Sequence, residues 1–193
     1  MDKNIERDLI NYLFFELNKQ RFLIQDEIFE YDVQSIIHFF LKLKYKNTES
    51  KVKREKDKTD HVIECNEKTS FIEVKSFIKN NEPLNYKKIF GDILKLNNKS
   101  SNDVKTYFIL VIKESHLGNR SRKYKELIKC LNDVNQKTLK FNIDNKVINT
   151  RIIRSYKTVY TEKVKDKNKD NKIVNHIHKS QIRVFMFQII TNK

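Results

Sequence analysis

Apolar residues near the start of the chain recur three and four positions apart. Ile5, Leu9, Tyr12, Leu13 and Leu17 form one stripe, which predicts a helix over about residues 4–19. A second stripe, Val33, Ile36, Ile37, Phe40 and Leu41, predicts a helix from Glu30 to Leu43. Phe39 and Leu43 add apolar positions outside that stripe, so the reading is a helix buried over most of its girth. Beyond it the pattern shortens. Lys51–Lys56, His61–Cys65 and Phe71–Ile78 read as strands, the last rich in β-branched and aromatic residues, with a turn over Asn66–Ser70. Pro83 fits the first turn of a helix whose stripe, Tyr86, Ile89, Phe90, Ile93 and Leu96, ends near Asn97. The run Val104–Ile112 is almost continuously apolar, as expected of a central strand covered on both faces.

The second half begins with a predicted helix over Arg120–Val134, carrying Tyr124, Leu127, Ile128 and Leu131 on one face. Leu139–Ile143 and Val147–Ile153 then flank Asp144-Asn145 as a hairpin. Lys163–Lys172 reads as a solvated charged loop, and Gln181–Ile190 as a last strand. This order predicts an α/β (α+β) fold, a mixed central β-sheet flanked by helices. At 193 residues it suits one domain, with a core over about 30–113 and a β-rich C-terminal part over 139–193.

Composition changes this picture only in part. Hydrophobic residues at 38%, including 13 Phe and 8 Tyr, suffice for a packed core. The net charge of +15 points toward a polyanionic partner. The chain has no Ala or Trp and is crowded with Lys, Asn and Ile, the residues A/T-rich codons favour, so part of that charge reflects composition alone. With only Gly91 and Gly118, glycine-rich phosphate loops are excluded. Cys65 and Cys130 read as buried thiols of a reducing compartment. The first residues open no apolar leader and no stretch has the length of a membrane span, so a cytoplasmic protein is expected.

Candidate chemistry lies in the strand pair. An acid two residues before a lysine occurs five times, at Glu49/Lys51, Glu73/Lys75, Asp103/Lys105, Asp144/Lys146 and Asp170/Lys172. Only Glu73/Lys75 sits inside an apolar strand, where residues two apart share a face. If the chain reverses at Asn66-Glu67, Cys65 opposes Lys68, and counting outward Asp60 opposes Glu73. Directly opposed residues have Cβ atoms roughly 4.5–5.5 Å apart. Two carboxylates so placed repel unless a cation lies between them, and Mg²⁺ is held by one or two such groups plus water and substrate phosphate.

Thr59-Asp60-His61-Val62-Ile63 followed by Phe71-Ile72-Glu73-Val74-Lys75 resembles the PD-(D/E)xK, restriction-endonuclease-like nuclease superfamily, with Thr59 where the family has Pro. The resemblance covers about Glu30 to Lys113. It implies a Mg²⁺-dependent nuclease, with Mn²⁺ as substitute, in which Asp60 and Glu73 bind metal and Lys75 is the catalytic lysine. Glu30, at the start of the upstream helix, is the candidate for a further metal-binding acid, and Glu55 a weaker one. DNA is favoured over RNA as substrate, with an endonuclease of restriction or defence type as the expectation. Cutting both strands would call for a homodimer, although no segment marks an interface.

Other candidates are weaker. His176-Ile177-His178 places two imidazoles on one strand face, without the Cys or third His a zinc site would use. Asp92 reads as a solvated helix residue. Lys87, Lys88, Arg120, Arg122, Lys123, Arg151 and Arg154 are candidates for phosphate contact. The competing expectation is a catalytically inactive module on the same scaffold that binds nucleic acid or a protein partner.

Overall fold

The computed structural model describes residues 1–20, 30–56, 58–77, 85–113, 138–143, 146–167 and 173–190. Helices α1 (Lys3–Gln20) and α2 (Glu30–Lys44) precede strands β1 (Lys51–Lys56), β2 (Thr59–Cys65) and β3 (Lys68–Phe77). Helix α3 (Tyr86–Lys99) leads to β4 (Val104–Lys113), followed by β5 (Thr138–Ile143), β6 (Lys146–Lys167) and β7 (Ile173–Ile190). All seven strands join one sheet in the order β1-β2-β3-β4-β7-β6-β5. It is a mixed sheet, because β3 and β4 run parallel across the α3 connection while the other pairs are antiparallel.

The alternation of β4 divides the core in two. Tyr107, Ile109 and Val111 pack with Leu9, Leu13 and Leu17 of α1 and with Val33, Ile37 and Leu41 of α2. Phe108, Leu110 and Ile112 pack with Ile89, Ile93 and Leu96 of α3 and with Phe141 and Ile148 of β5 and β6. Every β4 residue from Thr106 to Lys113 is buried, which accounts for its unbroken apolar run. Helices thus cover both faces, as the order of elements suggested.

Local chemistry sets the helix ends. Asp2 accepts from the N–H groups of Asn4 and Ile5 at 2.8 and 2.9 Å, capping α1. Helix α2 carries Glu30 and Asp32 in its first turn and Lys42 and Lys44 in its last, matching the helix dipole. Helix α3 opens at Tyr86, where the Asn85 side chain accepts from Lys88 N–H; Pro83 lies outside the described residues.

Several expectations are corrected. The turn after β2 is two residues long and β3 begins at Lys68, because the polar Lys68 and Thr69 complete the ladder with Cys65 and Glu64. Phe39 and Leu43 of α2 are 56% and 52% exposed, so its buried face is the narrow stripe alone. The charged run from Lys163 continues β6 as far as Lys167, because β7 starts at Ile173 and pairs with it throughout. Cys65 is half-buried and free. The predicted helix over 120–134, Cys130 and the Asp144-Asn145 turn lie outside the described residues, although Ile143 and Lys146 pair as a hairpin closing there requires. Among the described residues, no helix is long and apolar enough to cross a membrane.

One buried polar contact ties α1 to the sheet. The Tyr107 hydroxyl donates to Glu6 Oε1 at 2.7 Å, with Tyr107 fully buried and Glu6 2% exposed. Burial first, then the Glu6 carboxylate, raise the phenol pKa, so Tyr107 stays a donor throughout the accessible pH range. Tyr107→Phe would leave the carboxylate without this donor and should cost about 1–3 kcal/mol. Urea denaturation should show a lowered midpoint with unchanged slope; a wild-type midpoint would mean the contact does not anchor α1.

Candidate active site

The β2–β3 hairpin brings the first two acids together. Asn66 adopts a left-handed φ of 51°, which lets the chain reverse in two residues and fixes the register. Cys65 opposes Lys68, and the pairing continues to His61 opposite Ile72. Counted one step past that last pair, Asp60 falls opposite Glu73, whose carboxyl feels the Asp60 charge. Instead of extending the ladder there, Asp60 Oδ2 accepts from Val74 N–H at 2.7 Å. Glu73 and Lys75 lie beside Phe108 and Leu110 of β4, so they belong to the sheet face that α3 covers. Ile72 and Val74 enter the opposite core.

Two helices complete the cluster. Glu30, the first residue of α2, accepts from Lys75 Nζ at 3.0 Å through Oε1, and from Ser76 N–H at 3.4 Å through Oε2. From α3, Asp92 Oδ2 lies 3.5 Å from Lys75 Nζ. Lys95 Nζ donates to Glu73 Oε1 at 2.6 Å and to the Lys58 carbonyl at 2.8 Å, and lies 3.4 Å from Asp92 Oδ1. The structure therefore brings together Asp60, Glu73, Lys75 and Glu30, all expected from the sequence. It corrects the reading of Asp92, whose side chain is only 17% exposed and ion-paired to both lysines. Lys95 was not anticipated. Its signal is the row Lys88, Asp92, Lys95 and Lys99, spaced by four, three and four along α3 directly beside the buried stripe Ile89, Ile93 and Leu96.

Other candidates fall elsewhere. Glu55 is 75% exposed and faces Arg54. Arg151 donates to Gln188 at 2.6 Å and lies near the buried Glu6. Arg154, His176 and His178 occupy β6 and β7. Arg120, Arg122 and Lys123 lie outside the described residues. Lys87 and Lys88 are exposed and line a cleft of about 330 Å³ with Glu30, Lys75, Phe77 and Asp92.

Electrostatics distinguish the members. Four carboxyl groups face only two ammonium groups, so the cluster is short of positive charge. Burial, then the Asp60 carboxylate and Asp92, push the Glu73 pKa up to about 7 against the opposing pull of Lys95. Burial also raises Asp60, although Val74 N–H and Lys75 pull it back. Burial alone would lower Lys75, but Asp92, Glu30 and Asp60 outweigh it and raise its pKa above the ordinary value. Lys75 at rest is thus a cation.

A divalent ion fits this donor set. Glu73 Oε2 and Asp92 Oδ2 are buried without a hydrogen-bond partner, and oxygen donors are what a hard cation takes. Among the described residues, no three acidic, imidazole or thiol groups already form a metal-holding cluster. Two facing carboxylates with water and phosphate would suffice for Mg²⁺.

The raised Glu73 pKa makes a stability prediction. Between its ordinary value of 4.5 and about 7 the folded protein binds more proton than the unfolded chain, so this group's contribution falls as pH rises through that window. Glu73→Gln mimics the protonated acid. In EDTA it should match wild type near pH 4 and exceed it above pH 7.5 by about 1–3 kcal/mol, read from thermal melts. A gain independent of pH, or a loss, would show that Glu73 is not held against its ionised form. Compared with protein-family models, curated proteins and solved structures, the chain matches none.

Proposed function

We propose that the protein is a Mg²⁺-dependent nuclease acting on DNA, built on a restriction-endonuclease-like core formed by α2, β1–β3, α3 and β4. The observation that carries this reading is the Asp60–Glu73 apposition on a buried sheet face beside Lys75, with carboxylates in excess of cations. Such an excess is costly as it stands and is relieved by a divalent ion.

Asp60 and Glu73 would hold the ion, with Glu30 as the further acid and Asp92 as a second candidate from α3. When bound, Mg²⁺ supplies polarisation of the scissile phosphate and acidification of the attacking water. Glu73 must lose its proton to serve as a ligand, which its pKa near 7 permits at neutral pH. Lys75, held by Glu30 and Asp92, orients the attacking water and meets negative charge developing on the phosphate. Drawing its carboxylate neighbours toward the ion would remove what raises its pKa, and only after releasing its own proton to solvent could Lys75 accept one from the water. Lys87 and Lys88 at the cleft rim are placed to contact the flanking phosphates.

A second reading has one observation in its favour. Lys95 already neutralises Glu73 at 2.6 Å, as it would in an inactive binding module with no use for metal. Metal response separates the two. The nuclease should cut DNA with Mg²⁺ or Mn²⁺, and Asp60→Ala or Lys75→Ala should lower the rate by roughly 100-fold or more. Mg²⁺ at about 100 times its Kd should stabilise wild type by about 2.7 kcal/mol, and Asp60→Ala should abolish that gain. No cleavage together with a flat melting temperature would leave the inactive module standing.

A further inference from the structure

The Lys95 ammonium is surrounded by oxygen in the way a bound cation is. Its Nζ lies 2.6 Å from Glu73 Oε1, 2.8 Å from the Lys58 carbonyl oxygen and 3.4 Å from Asp92 Oδ1. Two carboxylates and a backbone carbonyl are donor types that a hard divalent ion also takes. Both carboxylates belong to the cluster to which the nuclease reading gives the metal. An ammonium and a divalent ion a few ångströms apart repel strongly in a desolvated site, so Glu73 does not readily hold both.

Lys95 is placed to leave. Its side chain is 28% exposed, against 16% for Lys75. Lys75 is rooted in β3, between two neighbouring strands, and is held by Glu30 of α2 and Asp92 of α3. Lys95 stands on α3 beside the buried stripe Ile89, Ile93 and Leu96, so its flexible stem can swing toward solvent without opening the core. Glu73 stays behind, 4% exposed, with Oε2 already lacking a hydrogen-bond partner. Departure of Lys95 with nothing in its place would strip that buried carboxylate of its counterion, which is unfavourable. The ammonium therefore leaves only in exchange for another cation.

We infer that Lys95 is a resident counter-cation of the candidate metal site, which a divalent ion must displace from Glu73 and Asp92 in order to bind. Charge favours the exchange, because four carboxyl groups face two ammonium groups and a divalent ion in place of one of them adds positive charge. The ion pair between Lys95 and Glu73 opposes it. Lys95 is thus a positioning residue that sets the metal concentration at which the site fills, and it holds the acids neutralised when metal is scarce. The inference rests on the nuclease reading for what the ion does, though not for the exchange itself.

The test titrates Mg²⁺ into metal-free protein at about pH 8.5 without DNA, with Kd read from thermal melts. Lys95→Met removes the ammonium and keeps an apolar stem, and should bind Mg²⁺ roughly tenfold tighter than wild type or more. Lys51→Met removes equal charge at the exposed edge of the sheet and should shift Kd by less than about twofold. In wild type, acetylation by a lysine-reactive ester, mapped by mass spectrometry, should be roughly threefold faster at Lys95 in saturating Mg²⁺ than in EDTA, with Lys51 unchanged. That second readout needs no variant to fold. Equal Mg²⁺ affinity of wild type and Lys95→Met, or labelling of Lys95 no faster in Mg²⁺-loaded wild type, would overturn the exchange; cutting of DNA by wild type would then leave the nuclease reading standing. Mg²⁺ binding by neither protein would sink both. Binding by Lys95→Met alone, with no cutting by wild type, would support the exchange and overturn the nuclease reading, since the lysine would then have taken the metal's place for good.

Discussion

The apposition of Asp60 and Glu73 across a tight hairpin, on a face of the sheet closed over by α3, sets the terms for everything around it. Two carboxylates in that position repel and are desolvated, and each neighbouring element supplies a partial remedy. The Val74 backbone N–H answers Asp60, Lys95 of α3 answers Glu73, and Lys75 turns to Glu30 and Asp92. The remedies are incomplete, as Glu73 Oε2, buried without a hydrogen-bond partner, shows. A sequence selected for stability alone would have a cheaper solution, since an apolar pair at these positions would pack with no charge to neutralise.

Placement of the cluster follows from the two-sided core. Strand β4 is buried on both faces, which fixes β3 beside it and decides which β3 residues face α3. Ile72 and Val74 are drawn into the α1–α2 side, and the period of the strand then forces Glu73 and Lys75 to the other. There the stripe of α3 leaves a polar row beside it, and the start of α2 reaches over the end of β3 with Glu30. Hydrophobic packing therefore positions the charged groups without any of them contributing to the core.

Much of this was legible in the sequence, for a physical reason in each instance. The β2–β3 register could be counted because a two-residue turn leaves no slack, and Cys65 does face Lys68. The contacts of α3 could not be counted. A helix residue beside an apolar stripe is solvated or buried according to what the stripe packs on, and only the fold shows that Asp92 and Lys95 meet the β3 face. The helix α2 was overread for the converse reason: Phe39 and Leu43 are apolar, but no described element covers their side. In β6 the run of lysine and aspartate reads as a loop because it lacks an apolar alternation, whereas its backbone pairs with β7 as far as Lys167.

The net charge has to be weighed by position. Lysine serves two different ends among the described residues. Lys75 and Lys95 are ion-paired counterions inside a carboxylate cluster. Lys87 and Lys88 stand at the mouth of the cleft. An overall value of +15 cannot distinguish these uses, since codon bias would yield it without any function. Position can. Mutational bias acts on residues one at a time and is blind to what they will meet in the fold, so it is their pairing with Glu30, Glu73 and Asp92 that separates Lys75 and Lys95 from the rest.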